Sequence, residues 1–320
     1  MSKNFNFFLI AFFVSLLFWW GVNVSGEKLE NFFFWQEISE NPQIFTAQLN
    51  LEKKLENLKP VRNREIGDLE IGAKSAISVL INNEGNPRIL FEKGGDKRLP
   101  IASLTKLMTV SVVLENYDLT EKVEISKEAV LQESEFGNLK IGEEFFVKDL
   151  LYPLLMESSN DAAYALSETI GEEEFVDLMN IKAANLGLEN TFFLNPTGLD
   201  PDNLSDLTNY STAKDLVKLT NYLLKNQPLI WDILGTFEFD LYSSDGVLHH
   251  RLKNTNELLK EGANIIGGKT GWTPQAQGCL LLVYGTPQNR GKIINVILGS
   301  EDRFGEMKKL INWLNQVYRW

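Results

Sequence analysis

The strand-like runs of this chain stand at the two ends of one long stretch, with a helical tract between them. That distribution constrains the fold more than any other feature. "SAISVLINNEGNPRILFEK" reads as two alternating strand runs around the turn "NNEGNP", a β-hairpin. "IIGGKTGWTPQAQGCLLLVYG" and "KIINVILGS" read as two further strands near the other end. The tract between them holds helical patterns such as "VKDLLYPLLMESSNDAAYALSETIG" and "STAKDLVKLTNYLLKN", and "RFGEMKKLINWLNQVYRW" follows as an amphipathic helix. Strands, many helices, strands, then a helix predict an α+β domain over residues 66–320. One antiparallel sheet is assembled from both ends of the domain and flanked by helices.

Residues 1–26 read as a signal anchor or signal peptide. Lys3 precedes an apolar run over 7–24, a length between a signal core and a membrane span. No Ala-x-Ala cleavage site follows it, which favours an uncleaved membrane anchor, with Trp19 and Trp20 near an interface. Either reading sends the remainder out of the cytoplasm. Residues 27–65 are mixed and charged and read as a linker or stalk. The hydrophobic fraction of 44% is enough for a substantial core, and a net charge of −12 argues against nucleic acid as a partner. Cys279 is the one cysteine, which excludes an intramolecular disulfide and a four-cysteine zinc site. It reads as a small buried side chain rather than a nucleophile. The only histidines are the adjacent His249 and His250. A Ser-His-Asp triad is limited to that pair, a three-histidine metal site is excluded, and no metal is expected. The chemistry of such a chain calls for another base.

Three motifs offer one. In Ser103-Leu104-Thr105-Lys106, residues i and i+3 share a helical face, so the amine reaches the hydroxyl. Lysine serves as a base only if desolvation or a nearby positive charge lowers its pKa. A helix N-terminus adds backbone N–H groups suited to an oxyanion. In Ser158-Ser159-Asn160, a turn between two apolar helical runs holds a hydroxyl and an amide; capping of the next helix is the competing use of these side chains. In Lys269-Thr270-Gly271, a strand presents an ammonium and a hydroxyl to a carboxylate, and Gly271 leaves room for a substrate backbone. Each motif alone says little, whereas S-x-x-K, S-x-N and K-T-G in this order form a specific set.

With that set the chain resembles the serine-type D-alanyl-D-alanine carboxypeptidases, low-molecular-mass penicillin-binding proteins of peptidase family S11. "ASLTKLMT", "LLMESSNDAA", "FLNPTGLD", "STAKDL" and "GGKTGWTPQAQGC" also resemble that family's blocks. The resemblance implies a β-lactamase/transpeptidase-like fold with an all-helical subdomain. It implies Ser103 as nucleophile, Lys106 as general base, Ser158 as proton relay and Asn160 as orienter. Lys269 and Thr270 would hold the terminal carboxylate beside Gly271, and Lys269 would help depress the pKa of Lys106. The backbone N–H groups of Ser103 and Trp272 would form the oxyanion hole. It further implies no cofactor, a peptidoglycan stem peptide as substrate, β-lactams as inhibitors, and an envelope location with membrane attachment through the N-terminal segment. Gln277 departs from the family's usual glycine. Three alternatives stay open: D,D-endopeptidase action on cross-links, β-lactamase activity, and a catalytically inactive wall-binding protein. The second is disfavoured because the loop over 193–211 offers aspartates but no clear glutamate.

Overall fold

The computed structural model describes residues 59–320 apart from 133–137, 204–206 and 263, with Ser15, Gln36, Gln43 and Thr46 as isolated helical positions. The expectations for residues 1–26 and for most of 27–65 lie outside the described residues. Among the described residues no helix is long and apolar enough to cross a membrane. A compact unit runs from Lys59 to Trp320. Strand β1 (Val61–Arg62) pairs with β13 (Tyr318–Arg319), so the unit takes in residues ahead of the boundary expected at Ile66.

The central sheet is antiparallel throughout. It comprises β2 (Ser75–Asn82), β3 (Pro87–Lys93), β10 (Ile265–Thr273), β11 (Gln277–Gly285) and β12 (Gly291–Ser300), in the order β10-β11-β12-β2-β3. Both ends of the domain contribute to it, as the order of runs predicts. The segment "IIGGKTGWTPQAQGCLLLVYG" holds two strands, not one, joined by a turn at residues 274–276 with Thr273 opposite Gln277.

The strand pleat sends alternate side chains to opposite faces, and each face is covered. Ile77, Val79, Ile81, Leu281, Val283, Ile294, Val296 and Leu298 join the core on one face. Ala76, Leu80, Leu280, Leu282, Ile293 and Ile297 join the core on the other. Burial on both sides explains why β2 is apolar almost without interruption, while the edge strand β3 alternates. The core on the first face takes in α1 (Lys106–Asn116), α2 (Lys127–Val130), α3 (Val147–Tyr152), α4 (Asn160–Glu168), α5 (Glu172–Asn185), α6 (Ala213–Asn226) and α7 (Pro228–Leu234), with α6 and α7 packed on the sheet and the others packed mainly on one another. On the second lies α8 (Arg303–Val317), through Met307, Leu310, Trp313, Leu314 and Val317.

The helical tract carries three short ribbons as well: β4 (Leu99–Pro100) with β7 (Tyr210–Ser211), β5 (Lys122–Glu124) with β6 (Glu144–Phe146), and β8 (Glu238–Tyr242) with β9 (Leu248–Lys253). Two of these ribbons are two or three residues deep. That is too short for a period of two to register in sequence.

Candidate active site

Ser103 lies in a single 3₁₀ turn, Ala102–Thr105, which runs directly into α1 at Lys106. Ala102 holds a left-handed φ of +47°, a conformation that costs an alanine energy and that the surroundings must impose. Edge strand β10 and the loop over 193–200 supply that constraint. A Cβ on Gly271 would sit 3.0 Å from the Ser103 nitrogen and 3.1 Å from the Ala102 Cβ. A Cβ on Gly198 would sit 2.2 Å from the Ala102 oxygen, and its φ of +82° independently suits glycine. Gly271 thus makes room for the nucleophile's own turn, where the sequence suggested room for substrate.

Lys106 is fully buried at the head of an apolar helix. Its Nζ donates to Ser103 Oγ at 3.1 Å, to Asn160 Oδ1 at 2.7 Å and to the Thr197 carbonyl at 2.6 Å. Burial lowers its pKa to about 7, against the opposing pull of Asp161. Burial likewise raises Asp161 to about 6. The three contacts satisfy the ammonium form; on losing a proton the amine keeps two donors, for Asn160 and Thr197, and turns its lone pair to the Ser103 hydroxyl.

The turn at 158–160 divides its work. Ser159 Oγ caps α4 by accepting from the Ala162 N–H at 3.0 Å. This frees Ser158 and Asn160 for the site. Ser158 adopts a left-handed backbone, φ 65°, after a π turn at Pro153–Glu157, and this presents its hydroxyl to Lys269 Nζ at 2.8 Å. Lys269 is itself fully buried and also donates to the Thr270 carbonyl at 2.9 Å. Burial, then the positive charges of Lys106 and Arg303, push its pKa well below the lysine range. The resemblance implies that Lys269 depresses Lys106; in the structure the charge of Lys106 instead helps lower Lys269, and Lys106 owes its shift to burial.

The eight residues singled out from sequence come together around this turn and strand, with Trp272 at the outer end, 63% exposed. Sequence reading missed several others. Thr197 supplies a carbonyl from "FLNPTGLD". Thr255 Oγ1 meets Thr270 Oγ1 at 2.6 Å, and the Thr255 N–H and hydroxyl both donate to the Met156 carbonyl, which ties the serine turn to β10. Arg303 donates to the Gly271 carbonyl at 2.9 Å and brings a cation behind the strand. Asp200 accepts from Thr273 Oγ1 and from the Gln275 N–H, both at 2.9 Å, so its carboxylate closes the β10–β11 hairpin instead of facing Ser103. Thr197 and Asp200 lie in the "FLNPTGLD" block, which marked the segment but not their roles, and Thr255 and Arg303 have no local signal because their partners lie far away in the chain. Cys279 is buried, its thiol pushed up to about 11 by burial, as expected of a packing residue.

A serine hydroxyl, a buried amine of lowered pKa, a second serine bridged to a second amine, and a hydroxyl-bearing edge strand form a constellation for acyl transfer. The comparisons agree with it. The D-alanyl-D-alanine carboxypeptidase family model matches residues 62–302. The D-alanyl-D-alanine carboxypeptidase DacF of Bacillus subtilis is 34% identical over 265 residues, which is 80% of this chain and 65% of that protein. A D-alanyl-D-alanine endopeptidase of Pseudomonas aeruginosa is 34% identical over 248 residues, 74% of this chain and 76% of that protein. The Streptomyces K15 DD-transpeptidase structure superposes with a TM-score of 0.68 at 30% identity, covering 79% of this chain and all of that one.

Proposed function

The chain belongs to the D-alanyl-D-alanine carboxypeptidase family, and on that premise we propose that it removes the terminal D-alanine from peptidoglycan stem peptides through an acyl-enzyme on Ser103. The observation that carries the reading is the fully buried Lys106 amine, its pKa lowered by burial, 3.1 Å from the Ser103 hydroxyl.

Lys106 takes the hydroxyl proton as Ser103 Oγ attacks the carbonyl between the last two residues of the peptide. The tetrahedral oxyanion is met by the backbone N–H groups of Ser103 and Trp272. Collapse breaks the C–N bond, and the leaving amine of D-alanine takes a proton through Ser158, which Lys269 supports from behind. Asn160 holds Lys106 in place. Thr270 receives the substrate's terminal carboxylate, with the Lys269 amine beside it and the Arg303 guanidinium behind the strand. Water then hydrolyses the ester. The site lies in a catalytic domain over 59–320 and acts on the envelope side, with attachment through residues 1–26 part of this proposal.

Endopeptidase action on cross-links is the second reading, favoured by the Pseudomonas relative. A β-lactamase is disfavoured because Asp200 is committed to Thr273 and Gln275.

The test is intact mass of the protein over time with benzylpenicillin, which mimics the scissile amide and acylates the same serine, followed by D-alanine release from a stem pentapeptide. A persistent adduct on Ser103, absent from a folded Ser103→Ala variant, is expected. Unchanged labelling of that variant refutes the assignment, and rapid turnover of the antibiotic without an adduct makes it a β-lactamase.

A further inference from the structure

The oxyanion hole of the proposed reaction draws one N–H from each of two elements. Ser103 stands in the 3₁₀ turn ahead of α1, and Trp272 stands near the end of β10. β10 is an edge strand, so no further strand holds its open side. It ends in the turn at 274–276, after which Gln277 takes a left-handed φ of +58°. Such backbone persists only where its surroundings impose it.

The loop over 193–200 meets that hairpin through its last residue. Asp200 Oδ1 accepts from Thr273 Oγ1 at 2.9 Å and from Thr208 Oγ1 at 3.5 Å, and Oδ2 accepts from the Gln275 N–H at 2.9 Å. Thr273 Oγ1 in turn accepts from the Ala276 N–H at 3.1 Å. One carboxyl group therefore grips the last residue of β10 and the turn beyond it.

The same loop holds the base. The Thr197 carbonyl accepts from Lys106 Nζ at 2.6 Å. Asn195 Oδ1 accepts from the N–H groups of Thr197 and Gly198 at 3.2 and 2.7 Å, and Asn195 Nδ2 donates to the Leu199 carbonyl at 3.1 Å. Buried Asn209 joins the loop to the nucleophile's turn, its Nδ2 donating to the Asn195 carbonyl at 2.9 Å and to Thr105 Oγ1 at 3.0 Å. These bonds form a strap. It starts at Thr105, two residues after Ser103, passes the Lys106 amine and ends at Thr273, next to Trp272. Asp200 makes the crossing from loop to hairpin.

We propose that Asp200 is a positioning residue for acylation: by fastening the 193–200 loop to the end of β10, it holds the Lys106 amine and the Trp272 N–H in register with each other across Ser103. Asp200 touches no reacting atom. The base and the oxyanion donor act in the same transition state, so a shift of one against the other slows the chemical step and spares the first, non-covalent encounter. The roles of Lys106 and Trp272 in this inference rest on the proposed function.

Asp200→Ala removes both acceptors. Asp200→Asn keeps the size of the side chain and one acceptor oxygen, sets an N–H₂ group against the other donor, and carries the test should the alanine variant fail to fold. Stopped-flow acylation of the full chain with a fluorescent penicillin separates initial binding from the acylation rate constant. The rate constant is expected to fall about tenfold to a hundredfold in Asp200→Ala and about threefold to tenfold in Asp200→Asn, the scale of a misplacement of up to 1 Å, with initial binding unchanged. Thr273→Val removes the partner hydroxyl, and its loss is expected to be less than additive with that of Asp200→Ala. An unchanged rate constant in the folded variants, a loss confined to initial binding, or fully additive losses would overturn the positioning role. Amide hydrogen exchange of the same variants, with no ligand present, tests the strap apart from the reaction. Exchange is expected to quicken at Thr197, Gly198 and Gln275 together, with α8 as in the wild type. Quickening at Gln275 alone would overturn the strap. Penicillin labelling of Ser103→Ala would instead overturn the proposed function and leave the exchange result standing.

Discussion

The state of Lys106 governs the rate, and its pH dependence can be worked out in advance. An amine with an ordinary pKa of 10.5 is neutral in about one molecule in 3,000 at pH 7, whereas one at about 7 is neutral in half of them. Burial of Lys106 thus supplies a factor on the order of 10³ in the population able to accept the Ser103 proton. The acylation rate constant with a fluorescent penicillin is expected to rise tenfold per pH unit below 7 and to level off above it. Lys106→Arg keeps the positive charge but cannot give up its proton, and is expected to lose about 10³-fold or more. A rate that is flat between pH 5 and 8, or an inflection near 10, would refute the lysine-base reasoning. Stability carries the same signature. A lysine with a depressed folded pKa binds its proton more readily in the unfolded chain, so each such group adds to stability as pH rises from about 7 toward 10.5. Lys269 acts in the same direction. Cys279, raised from 9.0 to about 11, opposes the trend only above 9. The melting temperature is therefore expected to climb between pH 7 and 9.

Further outcomes follow from the packing of β10. Gly271→Ala drives a methyl group against the Ser103 nitrogen and the Ala102 Cβ. It is expected to lower acylation at least tenfold while costing about 1–3 kcal/mol of stability in denaturant melts; normal labelling would show that the turn tolerates displacement. Gln277 holds a left-handed φ of +58° after the three-residue turn, where glycine avoids the penalty. Gln277→Gly is expected to stabilise the protein by about 1 kcal/mol, raising the melting temperature by about 2–4 °C. An unchanged or lower value would show that the surrounding contacts favour glutamine.

What was legible in the sequence was whatever local order encodes. Runs with a period of two and runs with a helical period gave the sheet, its contribution from both ends, and its helical cover. Ser103 and Lys106 share a helical face by spacing alone, and a shortage of histidines pointed the chemistry toward lysine. The departure at Gln277 was visible only through the family resemblance, and its physical reason, a left-handed backbone that favours glycine, came from the structure. The rest depended on elements distant in sequence. The pKa of Lys106 is set by burial, and burial exists only once the 193–200 loop and Asn160 close over the amine. Ser158, Ser159 and Asn160 are equivalent as capping residues in sequence; the π turn ahead of them decides that Ser159 caps while the other two face the lysines. Gly271 reads as an open strand position until the Ser103 turn is packed against it. His249 and His250 belong on opposite faces of a strand until a bulge, set by register with β8, turns them together. Spacing fixes which atoms are near neighbours along one element. Desolvation and steric room are properties of what packs around them, and only the tertiary structure supplies that.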